Sequence, residues 1–250
     1  MLGNRQLLLI FAVGVLVGII GFIVFNYTTT SSRGGHGDIS VKTLGNGVIR
    51  LKSFDVDDLI RLFNHSKIVF SQVYSNGTND SSYIVLDRVG EEEINGTPVY
   101  RVRIEAVSAD NKSIAFLWIA KDFSKILMFR SGGMEYTNET AEYYGRIVLS
   151  APSFVLTAMQ MSVLFDINVS DGRVSATTLY WNITSFNESR VEINGKVYTV
   201  ITGKAVKTVN STVEREVLFR AVEIDGEWYL LYVKVIKENE TYTISVKELS

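Results

Sequence analysis

From Leu7 to Phe25 the chain runs nineteen residues without a charge or a strongly hydrogen-bonding side chain, close to the roughly 20 that carry a helix across a bilayer. In hydrocarbon a backbone must satisfy its own N–H and C=O groups, so a helix is the form this segment takes there. A secretory signal has a shorter apolar core, about 7 to 15 residues, ending at a small-residue cleavage site. Here the run ends in Phe22-Ile-Val-Phe-Asn-Tyr27, which offers no such site. The sequence therefore predicts one uncleaved span over 7–25. Arg5 and the amino end precede it without an acid, so the positive-inside bias places residues 1–6 in the cytoplasm and the remainder outside. Gly14 and Gly18 stand as GxxxG, a spacing that lets two spans approach closely and associate, although glycine is also common in single spans.

The asparagines point the same way. Of fifteen, twelve begin N-x-S/T with x not proline: Asn26, Asn64, Asn76, Asn79, Asn95, Asn111, Asn138, Asn168, Asn182, Asn187, Asn210 and Asn239. Chance placement would give roughly 2 or 3 such N-glycosylation acceptors. All twelve follow the apolar run. Asn26 abuts the membrane and Asn95 has Pro98 just beyond its sequon, which leaves Asn64, Asn76, Asn79, Asn111, Asn138, Asn168, Asn182, Asn187, Asn210 and Asn239 as the expected glycan sites.

Composition excludes several function classes. Lys+Arg 25 against Asp+Glu 27 gives no single-sign field to grip nucleic acid. Without cysteine there is no disulfide, thiolate metal site, cysteine nucleophile or cysteine-linked lipid. His36 and His65 are the two histidines; His36 falls in a linker and His65 at a helix exit, positions that suit no Ser/His/Asp triad. No HExxH, GxSxG, Walker, GxGxxG or DxD pattern stands in a fitting context. Glu91-Glu92-Glu93 reads as a charged strand edge. No catalytic residue, cofactor or metal ligand is assigned, and the protein is expected not to be an enzyme.

Thr28-Thr-Thr-Ser-Ser-Arg-Gly-Gly-His-Gly37 has the composition of a flexible linker, placed over 26–39. Beyond it the pattern predicts an α+β, β-rich exterior of antiparallel sheets packed with a few helices: a first β-rich half over 40–138, a helical connection over 139–165 and a second β-rich half over 166–250. The first half holds one helix, capped by Ser53 or Asp55, with Val56, Leu59, Ile60 and Phe63 on one face. Hairpin strands are expected over 68–74 and 83–89, then strands over 99–107, 114–120 and 126–129. In the connection, Ala141, Tyr144, Ile147 and Val148 recur at helical spacing. A second helical stretch opening at Pro152 presents Phe154, Val155, Ala158, Met159 and Met161. Later strands are expected over 174–183, 197–202, 213–224, 228–236 and 242–246, with Asn187 in a turn.

An internal echo joins the halves: Glu93-Ile-Asn-Gly-Thr-Pro-Val-Tyr-Arg-Val102 matches Glu192-Ile-Asn-Gly-Lys-Val-Tyr-Thr-Val200 with one residue removed, and Glu223-Ile-Asp-Gly-Glu-Trp-Tyr229 repeats the turn. Either a duplication or independent use of a favourable hairpin turn accounts for it. A duplication would give two similar sheet units stacked through the central helices.

The run Glu93-Ile-Asn-Gly-Thr-Pro-Val-Tyr-Arg-Val-Arg-Ile104, followed by Leu117-Trp-Ile-Ala-Lys-Asp-Phe-Ser-Lys-Ile-Leu127, resembles the strand-turn-strand pattern of LolA-like lipoprotein carriers and of PepSY modules. The LolA-like resemblance implies a curved sheet closed by helices around an apolar cavity for acyl chains. Phe116, Trp118, Phe129, Trp228, Leu230 and Tyr232 would line it; the same aromatics also suit an ordinary packed core.

Low glutamine, no cysteine and many Val, Ile, Tyr and Glu residues resemble thermophile usage, and with the sequons suggest an archaeal cell-surface type. Three functions remain open at this point. One is a non-catalytic, single-span, N-glycosylated surface protein acting as an envelope or accessory subunit, with the membrane, glycans, envelope proteins or its own copies as partners. The second is a LolA-like module holding a lipid or other hydrophobic ligand. The third is a pilin-like filament subunit, for which the usual basic-Gly processing site is missing before Leu7.

Overall fold

The computed structural model describes residues 44–109, 111–209, 212–238 and 240–250. The predicted span over 7–25, with Gly14 and Gly18, and the linker over 26–39 lie outside the described residues, as do Asn210 and Asn239. Among the described residues, no helix is long and apolar enough to cross a membrane.

In chain order the elements are β1 (Gly47–Ile49), β2 (Leu51–Lys52), α1 (Val56–Leu62), β3 (His65–Val73), β4 (Asn79–Ile94), β5 (Thr97–Ser108), β6 (Asn111–Ala120), β7 (Ile126–Ser131) and β8 (Met134–Thr137). Then come α2 (Asn138–Ser162), β9 (Ile167–Ser170), β10 (Arg173–Ala176), β11 (Trp181–Ile193), β12 (Lys196–Val209), β13 (Thr212–Ile224), β14 (Glu227–Lys237) and β15 (Glu240–Lys247). The fold is β-rich, with antiparallel meanders over β3–β8 and β11–β15. The two meanders do not stack as separate sheets. β15 pairs with β3, Ile244 opposite Phe70, so the strand order β11-β12-β13-β14-β15-β3-β4-β5-β6-β7-β8 is continuous. Joining them this way removes two unpaired edges at once. β2 adds in parallel to β14, and β1, β9 and β10 make a separate three-stranded sheet.

The echoed turn sets the register where each hairpin closes. Asn95-Gly96, Asn194-Gly195 and Asp225-Gly226 each place both residues at positive φ, between 49° and 82°, and each is a two-residue loop, closing Ile94↔Thr97, Ile193↔Lys196 and Ile224↔Glu227. This is the type I′ hairpin, whose twist matches that of the strands. All three lie at one end of the sheet, here the lower rim. Strand alternation puts the β3–β4, β5–β6, β7–β8, β12–β13 and β14–β15 connections at the opposite, upper rim.

α1 forms as the sequence predicts: Asp55 caps it, its Oδ1 accepting the Asp58 N–H at 2.5 Å, and Val56, Leu59 and Ile60 are buried. α2 departs from expectation. It is one continuous helix with Pro152 inside it, not two stretches. The Ser150 and Ser153 hydroxyls donate to the Ile147 and Leu149 carbonyls, at 2.6 and 2.8 Å, beside the turn where proline has no N–H to give. The buried face includes Leu149, Ala151, Pro152, Val155, Leu156 and Met159, while Phe154 points out. The segment expected as one strand over 174–183 is divided between β10 and β11, and Asn187 lies within β11, not in a turn. β8 and β9 carried too short an apolar pattern to be anticipated.

Candidate functional site

The faces of the sheet follow from its registers, since directly opposed residues in an antiparallel pair share a face. Leu117 faces Val102 on one side and Phe129 on the other. Phe129 stacks on Tyr144 of α2, centroids 6.0 Å apart. Leu117, Ala115, Ile104, Ala106, Ile84 and Phe129 therefore share the inner face, which α2 covers. At Gly145 helix and sheet approach closely: a Cβ there would meet Ile126 Cδ1 at 2.5 Å and Leu117 Cδ2 at 3.3 Å.

This alternation divides the residues expected to line a pocket. Phe116 and Trp118 fall on the outer face, opposed to Arg103 and Arg101. There the Trp118 indole donates to Glu92 at 3.0 Å, and Glu92 pairs with Arg101 at 2.8 Å. Phe129, Trp228 and Leu230 are buried in the packed core. Tyr232 stands opposite Arg220, half-buried. The six do not form one lining; a strict period of two sends neighbours such as Phe116 and Leu117 to opposite sides.

An apolar cleft does exist, elsewhere. It lies between α2 and the inner face near the upper rim and encloses about 490 Å³, counting the part open to solvent. Ile84, Ile104 and Ala106 form one wall, Ser113, Ile114, Ala115 and Ser131 another, and Ile147, Val148, Ala151 and Pro152 of α2 its roof. None of these side chains is charged, and the Ser131 hydroxyl is already engaged by the Ile114 carbonyl at 3.1 Å. Small residues on the sheet, Ala106, Ser113 and Ala115, leave space unfilled here, whereas Leu117 and Ile126 fill it lower down beside Gly145. Its chemistry is that of a desolvated apolar surface with two hydroxyls, suited to holding hydrocarbon. The signal that could have found it is the run of small residues at inner positions of β5 and β6, Ala106, Ser113 and Ala115.

The charged side chains gather on the outer face. His65 Nδ1 lies 2.5 Å from Asp87, Arg103 bridges Asp87 at 2.7 Å and also Glu105, and Lys112 meets Glu105 at 2.8 Å. The Lys112 hydrogen bond holds Glu105 below the usual carboxylate range, and Lys67 does the same for Glu248. Among the described residues, no group of three or more His, Cys, Asp or Glu stands close enough to hold a metal ion.

The sequons are spread over turns and strands. Asn64, Asn76, Asn79, Asn95, Asn111, Asn138 and Asn187 are exposed, while Asn168 in β9 and Asn182 in β11 are half-buried. Asn64 Oδ1 accepts from Arg88 Nη2 at 2.6 Å, and Asn76 Oδ1 from the Thr78 hydroxyl of its own sequon at 2.7 Å. Asn76, Asn79 and Asn111 belong to the upper rim.

No protein-family model matches the chain, and no curated protein matches it. Among solved structures it is similar to a DUF1329 family protein from Desulfovibrio piger, at 10% identity over 77% of this chain and 88% of that one, with a TM-score of 0.23. It is also similar to a β-barrel-like protein of domain of unknown function DUF1849 from Brucella abortus, at 8% identity over 76% and 98% of the two chains, with a TM-score of 0.25. A Bacteroides fragilis protein with a YmcC-like fold matches at 6% identity over 81% and 100%, with a TM-score of 0.21. Likeness at this level supports no functional conclusion.

Proposed function

We propose that this protein is a non-catalytic, extracytoplasmic binding module that holds a hydrocarbon chain between α2 and the inner face of its sheet, tethered to the membrane by residues 7–25 and carrying N-linked glycans. The observation that carries the binding reading is the cleft: an apolar opening beneath α2 with no charge in its lining. Each methylene that leaves water for such a lining contributes about 0.8 kcal/mol before the cost of association is subtracted. The tether rests on the uncharged run Leu7–Phe25, and the glycans on the twelve sequons that follow it. An envelope role fits both, with the tether keeping the module beside a source of acyl or isoprenoid chains.

The test is photolabelling of the full chain in phosphatidylcholine vesicles with a long-chain alcohol carrying a diazirine at mid-chain. Adducts on Ile104–Ala106, Ser113–Ala115 and Ile147–Pro152 are expected. Labelling confined to residues 7–25 would sink the binding reading.

A further inference from the structure

Asn111 and Ser113 are two residues apart on β6 without an intervening bulge, so their side chains stand on the same, inner face. Ser113 is at once a wall of the cleft and the hydroxyl residue of the Asn111 sequon. Asn111 is exposed and lies about 7 Å further up the strand, beyond Ser113, itself an exposed residue of the cleft lining. The inner positions beside it are small and hydroxyl-bearing: Ser108 is directly opposite Asn111, and Ser82 directly opposite Ser108. Lys112 points the other way, to Glu105. Among the described residues, the inner positions beside Ser113 thus carry neutral groups that donate and accept hydrogen bonds, the partners that sugar hydroxyls take.

We propose that the glycan on Asn111 covers the mouth of the cleft, lying over Ser82, Ser108 and Ser113, and slows exchange of the bound chain. The inference rests on the cleft being a binding site. Attachment is the ordinary transfer from a lipid-linked oligosaccharide. The Asn111 carboxamide nitrogen bonds to the anomeric carbon and gives up a proton to a base of the transferase, as the bond from that carbon to the lipid phosphate oxygen breaks and the lipid phosphate leaves. A cover of this kind is neutral, hydrated and flexible, so it raises the barrier to escape without competing for the apolar lining. The Asn187 sequon lies on β11, at the far edge of the sheet, and its glycan has no such reach.

The experiment compares full chains made in an N-glycosylating host: wild type, Asn111→Gln and Asn187→Gln. Glycopeptide mass spectrometry reads occupancy at Asn111, and stopped-flow fluorescence reads the release of 1-N-phenylnaphthylamine. Expected are an occupied Asn111 and a release rate that rises on the order of tenfold in Asn111→Gln, with Asn187→Gln close to wild type. An unmodified Asn111, or equal release from wild type and Asn111→Gln, would overturn the cover while leaving the cleft reading intact. Absence of probe binding in every chain, glycosylated or not, would overturn the cleft reading and the cover with it.

Discussion

The ring of Phe54 lies flat on that of Tyr229, centroids 4.4 Å apart and planes within 11° of each other. Phe54 also meets Phe63 edge-on at 5.9 Å and is 1% exposed. This stack fastens the segment between β2 and α1 to β14, beside the parallel pairing of Leu51 with Trp228. Gln160 of α2 adds a second tie, donating to the Leu51 carbonyl at 3.0 Å and accepting the Ser53 N–H at 2.5 Å. Truncating Phe54 to alanine removes a fully enclosed ring that the surroundings cannot refill. Phe54→Ala is expected to cost about 3–5 kcal/mol in denaturant unfolding. A loss below ~1 kcal/mol would show that the stack is not part of the core.

Gly203 and Phe219 are directly opposed on β12 and β13, and the ring of Phe219 lies over the glycine. A Cβ at 203 would stand 3.0 Å from Phe219 Cε2 and closer still to two other ring carbons. With Phe219 at 0% exposure the ring has nowhere to go. Gly203→Ala is expected to destabilise by about 1–3 kcal/mol, and Phe219→Leu in the same chain to relieve part of that, so the double mutant is less costly than the two single losses added. Strict additivity in equilibrium unfolding would argue against the contact.

At Gly195 the backbone itself sets the cost. Its φ is +73° and nothing lies within 4 Å of a built Cβ, so substitution meets no clash and pays only for the left-handed conformation. Gly195→Ala should lower stability by about 1 kcal/mol, whereas Gly45→Ala, equally uncrowded and without a positive φ, should be neutral. Equal melting temperatures for the two variants would contradict the type I′ assignment.

Tyr242 gives a signature at high pH. Its ring is 5% exposed and its hydroxyl donates to Glu240 at 3.0 Å. Burial first, and the Glu240 carboxylate second, push its pKa up from 10.0 to about 12. Burial moves Tyr229 and Tyr232 in the same direction. In the unfolded chain these tyrosines lose their protons first, so between the two values the folded state binds more protons than the unfolded state. Their contribution is whole below pH 10 and is lost as the pH rises toward 12. Unfolding curves at successive alkaline pH should show the decline, and Tyr242→Phe should flatten it; an unchanged slope in that variant would assign the effect elsewhere.

What the sequence disclosed was mostly what local chemistry dictates. Alternation and the Asn-Gly and Asp-Gly turns located the hairpins, and Asp55 located the start of α1, because both signals act within a few residues. The joining of β15 to β3 was not legible, since Ile244 and Phe70 are brought together only by the closing of two distant meanders. Pro152 reads as a helix start because its missing N–H suits a first turn, and nothing local shows that α2 continues through it. The pocket was sought among aromatics, yet large rings fill space. The opening formed where side chains are small, at Ala106, Ser113 and Ala151, and a gap of that kind depends on what lies opposite each residue.

The most direct measurement is fluorescence titration of 1-N-phenylnaphthylamine into the full chain in vesicles, against two added tryptophans. Ser113→Trp fills the cleft from an exposed inner position; Arg130→Trp places the same side chain on the outer face, beside Phe116. Saturable binding by wild type and Arg130→Trp is expected, with affinity lower by about tenfold or more in Ser113→Trp, a difference of ~1.4 kcal/mol. Equal affinity in all three chains, or none in any, would contradict a binding site under α2.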